Sequence, residues 1–297
     1  SDADGDGRTD LLVTQNETAG YYSLDFTDGW DRKQPFHRYA QSPSFNLEDP
    51  EVRLVDLTGD GVTDAIRSGT RLECYFNDPR FGWGSGGDHT RFVTRGALAD
   101  FPNVNFSDPR VKWADMSGDG LQDIVLVHDG NVAYWPNLGY GRWGKRIQMR
   151  DCPRFPHGYD PRRILVGDVD GDGLADLVYV DDHRVTLWIN RAGNGWSEPI
   201  TISGTPAVTD LDAVRLTDLL GNGVAGVLWT RDARTDQRPH YFFLDFTGGR
   251  KPYLLTGIDN HLGAVTTVSY VSSTRFYLAD QPREATRWKT PLPFPVQ

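Results

Sequence analysis

One nine-residue frame recurs five times along this chain, and it constrains the fold more than any other feature. It reads Asp2-Ala-Asp-Gly-Asp-Gly-Arg-Thr-Asp10, Asp56-Leu-Thr-Gly-Asp-Gly-Val-Thr-Asp64, Asp115-Met-Ser-Gly-Asp-Gly-Leu-Gln-Asp123, Asp168-Val-Asp-Gly-Asp-Gly-Leu-Ala-Asp176 and Asp218-Leu-Leu-Gly-Asn-Gly-Val-Ala-Gly226. The starts lie 54, 59, 53 and 50 residues apart. Self-similarity at a near-constant period marks a repeat architecture, in which each unit buries its apolar faces against its neighbours.

The flanks repeat as well. Asp49-Pro50, Asp108-Pro109 and Asp160-Pro161 precede three of the loops, and a short apolar strand such as Val52–Val55 or 164–166 runs between dipeptide and loop. A second strand follows each of the first four loops, at 11–13, 65–66, 124–127 and 177–180. Asp129-Gly130 is a strong hairpin turn and Ser68-Gly69 a weaker one. A third strand, 132–135 or 185–189, ends in a Gly/aromatic loop: Asn137-Leu-Gly-Tyr-Gly-Arg-Trp143, Asn190-Arg-Ala-Gly-Asn-Gly-Trp196 and, less regularly, 75–83. Units of about 50 residues with three or four short strands predict an all-β fold, a β-propeller with five visible blades and a ring that need not be complete. A β-sandwich is the runner-up, but it does not explain one loop per unit. Nothing between the loops has a helical period. Composition agrees, with 35 Asp against 6 Glu and 5 Lys against 26 Arg: the good helix formers are scarce, and the residue of turns and metal loops abounds.

In the first four loops, oxygen ligands fall at positions 1, 3, 5 and 9, with the main-chain carbonyl of position 7 completing the set. The candidates are Asp2, Asp4, Asp6, Arg8 and Asp10; Asp56, Thr58, Asp60, Val62 and Asp64; Asp115, Ser117, Asp119, Leu121 and Asp123; and Asp168, Asp170, Asp172, Leu174 and Asp176. Hard oxygens in this number suit Ca²⁺. An EF-hand is excluded, because it needs a Glu at position 12 and flanking helices, whereas Val13, Leu126 and Tyr179 stand there. The competing reading is that Asp/Gly-rich turns are merely turns. The fifth loop has Leu220 and Gly226 at positions 3 and 9 and is expected to be an empty structural turn. Four calcium ions would bring the formal charge from -10 to about -2.

Other signals exclude functions. The acidic balance argues against a nucleic-acid binder. No apolar run reaches the ~18–20 residues that span a bilayer, and the start carries no signal peptide. The chain begins inside a motif, which reads as a piece of a longer chain. Gly139 to Gly144 matches GxGxxG but no helix follows, the His residues (His37, His89, His128 and His183 among them) lack zinc spacing, and no nucleophile elbow exists. Asn16-Glu-Thr18 and Asn105-Phe-Ser107 are sequons that matter only in a eukaryotic secretory host. Cys74 and Cys152 read as free thiols, although one bridge stays open, and the Trp residues read as core rather than a ligand platform. No set of base, nucleophile and open metal suggests an enzyme or a small-molecule substrate. The end of the chain departs from the repeat: 264–278 alternates like long strands, and a Pro-rich exit follows.

The loops resemble the FG-GAP/VCBS repeats of integrin-like propellers. The tail, from Tyr253 through Asn260-His-Leu-Gly-Ala264 to Leu278 and then Trp288 to Val296, resembles the middle region of Tc toxin B components (SpvB/TcaC-like, Rhs-associated). That resemblance implies a propeller over 1–258 and, over 259–297, strands leading into a second all-β domain. In that family the B component joins a C component in a hollow Rhs shell that encloses a toxic enzyme. The propeller docks the shell onto a pore-forming A subunit and gates release. The resemblance thus implies a non-catalytic, calcium-stabilised interaction module of a secreted bacterial toxin, cytoplasmic before release, with protein partners and no membrane insertion of its own. An adhesion or glycan-binding propeller is the alternative, and a propeller enzyme such as a polysaccharide lyase a third.

Overall fold

The computed structural model describes residues 1–6, 9–15, 18–23, 36–83, 90–94, 102–208, 214–230, 241–271, 273–280 and 285. Arg8, Asn16, His89 and the Pro-rich exit at 288–297 lie outside the described residues.

Each Asp loop feeds a strand whose first residue is the loop's ninth position. Those strands are Asp10–Gln15, Asp64–Arg67, Asp123–His128, Asp176–Asp181 and Gly226–Thr230. Around them form small antiparallel sheets. Three are four-stranded: Val52–Val55, Asp64–Arg67, Arg71–Tyr75 and Thr90–Thr94; Val111–Ala114, Asp123–His128, Asn131–Trp135 and Ile147–Gln148; and Ile164–Gly167, Asp176–Asp181, Arg184–Trp188 and Ile200–Ser203. The first and fifth repeats show three strands each, Asp10–Gln15, Thr18–Ser23 and His37–Arg38, and Val214–Thr217, Gly226–Thr230 and Tyr241–Leu244. The all-β class and the strand order within units stand as the sequence predicts. None of these sheets closes on itself, so the described residues give a series of sheets rather than a drawn ring.

Local chemistry explains the strand boundaries. The Asp of each Asp-Pro lead accepts the main-chain N–H two residues on: Glu51 to Asp49, Arg110 to Asp108 and Arg162 to Asp160, each at 2.9 Å. Such Asx turns set the chain's direction before a strand begins. Asp129-Gly130 makes the predicted two-residue hairpin, with His128 opposite Asn131 and Gly130 at φ 67.

Over the described residues the chain divides into two compact units, one of Ser1–Arg162 with Asn190–Ser197, the other of Arg163–Ile189 with the described residues from Glu198 on. In the first unit, the cores lie between successive sheets. Ala19 and Tyr21 pack with Val52, Ala65, Tyr75 and Trp83, and Ile66, Leu72 and Cys74 pack with Val111, Ile124 and Trp135. In the second, Val178, Val180 and Val185 pack with Val214, Val227 and Trp229. Strands covered on both faces carry continuous apolar runs such as Leu177 to Val180, which explains why they do not alternate. The Trp residues at 83, 135, 188, 196 and 229 are core, as read from the sequence, and neither Cys74, which is buried, nor Cys152, which is half-buried, forms a disulfide among the described residues.

The tail corrects the sequence reading. Instead of long strands over 264–278, a short hairpin pairs Gly257–Asp259 with Val265–Thr267, and Ser273–Asp280 is an α-helix. Alternation specifies a strand only where a sheet face is there to receive it, and every residue of the two hairpin strands is exposed. Ser273 at the helix start, with Arg275, Leu278 and Ala279 inside, then favours helix locally.

Candidate functional site

The Asp loops fold around their own carboxylates. The first-position Asp gathers N–H groups from within the loop: Asp56 Oδ1 accepts Gly59 N at 2.7 Å and Oδ2 accepts Gly61 N at 2.9 Å. Asp115 does the same with Gly118 and Gly120, both at 2.7 Å, and Asp168 with Gly171 at 2.6 Å and Gly173 at 3.1 Å. The fifth-position side chain accepts the N–H of position 7: Val62 to Asp60, Leu121 to Asp119 and Leu174 to Asp172.

The ninth-position Asp is the keystone. Its Oδ2 accepts the N–H of position 2, from Ala3 to Asp10 at 2.8 Å, Leu57 to Asp64 at 3.0 Å, Met116 to Asp123 at 2.9 Å and Val169 to Asp176 at 3.1 Å. All four are buried, Asp123 and Asp176 completely. Burial, the largest influence, pushes Asp10 up to about 6 and Asp64 and Asp123 up to about 7. Burial also raises Asp168 and Asp172.

Among the described residues, three carboxylates converge in the first and fourth loops only. Asp2, Asp4 and Asp10, and likewise Asp168, Asp170 and Asp176, present oxygens that all lie within 4.8 Å of one another. Two unit charges at that separation repel by about 3.5 kcal/mol at an effective dielectric of ~20. A bound cation or a proton relieves that repulsion. The oxygens of positions 1, 3 and 9 suit a hard divalent ion, and Asp172 of position 5 stands outside that group. In the second and third loops Thr58 and Ser117 replace the carboxylate of position 3, and Thr58 Oγ1 donates to Asp56 Oδ1 at 3.3 Å. The fifth loop keeps the frame without the charges: Asp218 accepts Asn222 and Gly223 N–H groups, and Asn222 accepts that of Val224.

Successive loops lean on one another. A Cβ at Gly5 would meet Val62 Cγ2 at 3.2 Å, one at Gly59 would meet Leu121 Cδ2 at 3.2 Å, and one at Gly171 would meet Val224 Cγ2 at 3.0 Å. The fourth-position glycine therefore does two things. It takes a positive φ, and it leaves room for the seventh-position side chain of the following loop. Position 8 adds a main-chain bond, Thr63 N to Asp2 O and Ala225 N to Asp168 O, each at 2.8 Å.

Three asparagines that the sequence placed only as the start of Gly/aromatic loops prove to be part of the site. Asn77 N donates to Asp64 Oδ1 and Asn137 N to Asp123 Oδ1, each at 2.8 Å. Asn77 Nδ2 reaches Ala3 O at 3.3 Å, and Asn190 Nδ2 reaches Met116 O at 3.2 Å. For the second loop the corresponding carbonyl, Leu57 O, accepts Tyr140 N at 2.9 Å. Asn137 Oδ1 accepts Gly139 N, and Asn190 Oδ1 accepts Gly193 N. Asn77 Oδ1 stays unpaired because Pro79, which has no N–H, stands where Gly139 stands in the next repeat. The signal in the sequence is an Asn followed six residues later by Trp, three times over, at 77/83, 137/143 and 190/196. One more contact touches the fourth loop: Tyr253 donates its phenol hydrogen to Asp170 Oδ2 at 3.1 Å, and the Asp170 charge raises the pKa of that phenol.

Comparison with known proteins finds two family models that match parts of the chain. Residues 115–179 match an FG-GAP-like repeat, and residues 189–297 match the insecticide toxin TcdB middle/N-terminal region. The Photorhabdus luminescens Tc holotoxin pore structure aligns over 98% of this chain at 29% identity, with a TM-score of 0.77. Over nearly its whole length the chain is similar to part of a Tc toxin chain. The TcdB2–TccC3–Cdc42 crystal structure aligns over the whole chain at 26% identity and a TM-score of 0.59. TcdB2–TccC3 alone aligns over 99% at 25% and 0.59. The chain spans only 13% of the holotoxin chain and 16% of the other two. An Agrocybe aegerita lectin that recognises non-reducing terminal N-acetylglucosamine aligns at 15% identity over 76% of this chain and 72% of its own, with a TM-score of 0.50, a likeness of fold alone. No curated protein matches the chain.

Proposed function

We propose that this chain is the calcium-stabilised, non-catalytic β-propeller of a secreted toxin-complex B component, docking a toxin-enclosing shell onto a pore-forming A subunit and gating toxin release. Residues 1–258 form the propeller in this reading, and 259–297 lead into the shell, which a C component completes. Release into the medium follows a cytoplasmic stage. The observation that carries the reading is the alignment of nearly the entire chain with a Tc holotoxin pore chain. Sheets packed face to face, one core between each successive pair within a unit, are how propeller blades stack. The carboxylate triads of the first and fourth loops supply the oxygen donors a calcium ion needs. In most loops the carboxylates are wired to main-chain N–H groups, an arrangement that clamps strands.

Docking is tested by immobilising an A subunit of a toxin complex and measuring capture of this chain by surface plasmon resonance with calcium present. Saturable binding that an excess of free chain displaces supports the reading, and no capture at ~10 μM, far weaker than a stable docking contact, removes it.

A further inference from the structure

The stretch 250–256 crosses the fourth Asp loop and is held there at two adjacent residues. A Cβ at Gly171 would come within 2.9 Å of Pro252 Cδ, so the proline ring lies directly on the loop. Next to it, Tyr253 bonds Asp170 Oδ2 although the tyrosine is 72% exposed. Tyr253 also sits at φ 59, a left-handed conformation that a bulky side chain seldom keeps without being held. Beyond it the strap joins the exposed hairpin, with Val268 N on Thr256 O and the Tyr270 hydroxyl on Leu255 O, each at 3.0 Å.

Asp170 stands in the fourth loop's carboxylate triad. Its Oδ1 accepts the N–H of Asp172 at 3.1 Å, and its Oδ2 accepts the phenol. We propose that the Tyr253 phenol and a divalent cation compete for the Asp170 carboxylate, so that filling the fourth loop releases the 250–256 strap and the hairpin it leads into. The inference rests on the calcium reading above. The phenol hydrogen sits on one of the three carboxylates that a cation would draw together, and two positively polarised partners compete for the charge of that one group. A cation gripped by several carboxylates holds the oxygen more firmly than one solvent-exposed phenol does. Release lets Tyr253 leave its left-handed conformation, which favours the exchange further. Because the two ligands compete, the coupling is reciprocal, and removing the phenol must tighten cation binding by the factor that the cation loosens the strap.

Hydrogen–deuterium exchange of the full chain over 250–256, with calcium binding followed in parallel by calorimetry, tests this. In the wild type, saturating calcium speeds exchange in the strap about fivefold or more, the lower end of ordinary coupling between sites. Tyr253→Phe exchanges fast with or without calcium and binds one ion more tightly by a similar factor. Asp170→Asn, which keeps an acceptor for the phenol but loses the charge, holds the strap at its slow rate whatever the calcium concentration. Calcium binding with strap exchange unchanged or slowed in the wild type overturns the competition and leaves the calcium reading standing. No calcium binding at all overturns both.

Discussion

The carboxylate of Asp123 receives the main-chain N–H of Asn137 at 2.8 Å, 14 residues further along the chain. Its other oxygen receives Met116 N at 2.9 Å, so one buried side chain joins a loop to the exit of the hairpin that follows it. Asp123→Ala strands both donors. At about 1–3 kcal/mol for each buried donor left unpaired, the expected loss is roughly 2–6 kcal/mol in calcium-free buffer. Asp123→Asn keeps one acceptor and costs about half as much. Urea midpoints of the three proteins check this, and equal midpoints would contradict it.

Asn190→Ala removes the bonds to Met116 O and from Gly193 N, both of them buried. The expected cost is about 2–3 kcal/mol. A surface change such as Asn194→Ala, whose side chain bonds only the nearby Ala192 carbonyl, stays within about 0.5 kcal/mol. Thermal melts of the two variants should therefore separate cleanly.

If the triads hold calcium as proposed, calcium is expected to raise the melting temperature and EDTA to reverse the gain. A site filled at 100 times its dissociation constant adds about 2.7 kcal/mol. Asp2→Asn with Asp168→Asn, one in each carboxylate triad, removes most of this gain. A melting temperature indifferent to saturating calcium refutes the metal sites.

Restoring the ninth-position carboxylate of the fifth loop is not expected to restore a site. A Cβ at Gly226 would lie 2.4 Å from Phe243 Cζ and 2.5 Å from Leu244 O. Gly226→Asp is expected to lose about 2 kcal/mol or more from overpacking and to add no calcium equivalent by calorimetry. A gained equivalent would show that the strand at 241–244 yields.

Lys112 gives a pH dependence. Burial, the largest influence, pulls its ammonium down to about 8, while its Nζ donates to Pro161 O at 3.0 Å. The folded value lies below the unfolded one, so between about pH 8 and 10 the unfolded chain holds the proton that the native chain has lost. Stability therefore rises with pH across that window, by up to roughly 2–3 kcal/mol. Lys112→Met flattens this component. The difference in urea midpoint between the two proteins, followed from pH 7.5 to 9.5, isolates it from other titrations.

What was legible in the sequence was whatever repeats locally. Asp and Gly at fixed offsets announced the loops, Asp129-Gly130 announced its hairpin, and the continuous apolar runs announced strands covered on both faces. The asparagines' role was hidden because their partners lie far away in sequence, Ala3 and Met116 each standing 74 residues from the amide that binds it. Nor does the motif reveal that position 5 turns back to its own loop while positions 1, 3 and 9 gather. The tail misled for the opposite reason: Val265 to Tyr270 and Thr274 to Leu278 alternate, yet the hairpin's strands lie bare on both faces, so the pattern had nothing to register against.

The staples running from Asn77 to Ala3, Tyr140 to Leu57 and Asn190 to Met116 all point the same way along the chain. Each of these three loops is finished only by residues that belong to the repeat after it. During synthesis, the newest repeat to leave the ribosome therefore stands with an unfinished loop until its successor emerges. The order of translation is thus also the order in which these junctions can close, and a ribosome stalled between repeats exposes one open loop rather than several.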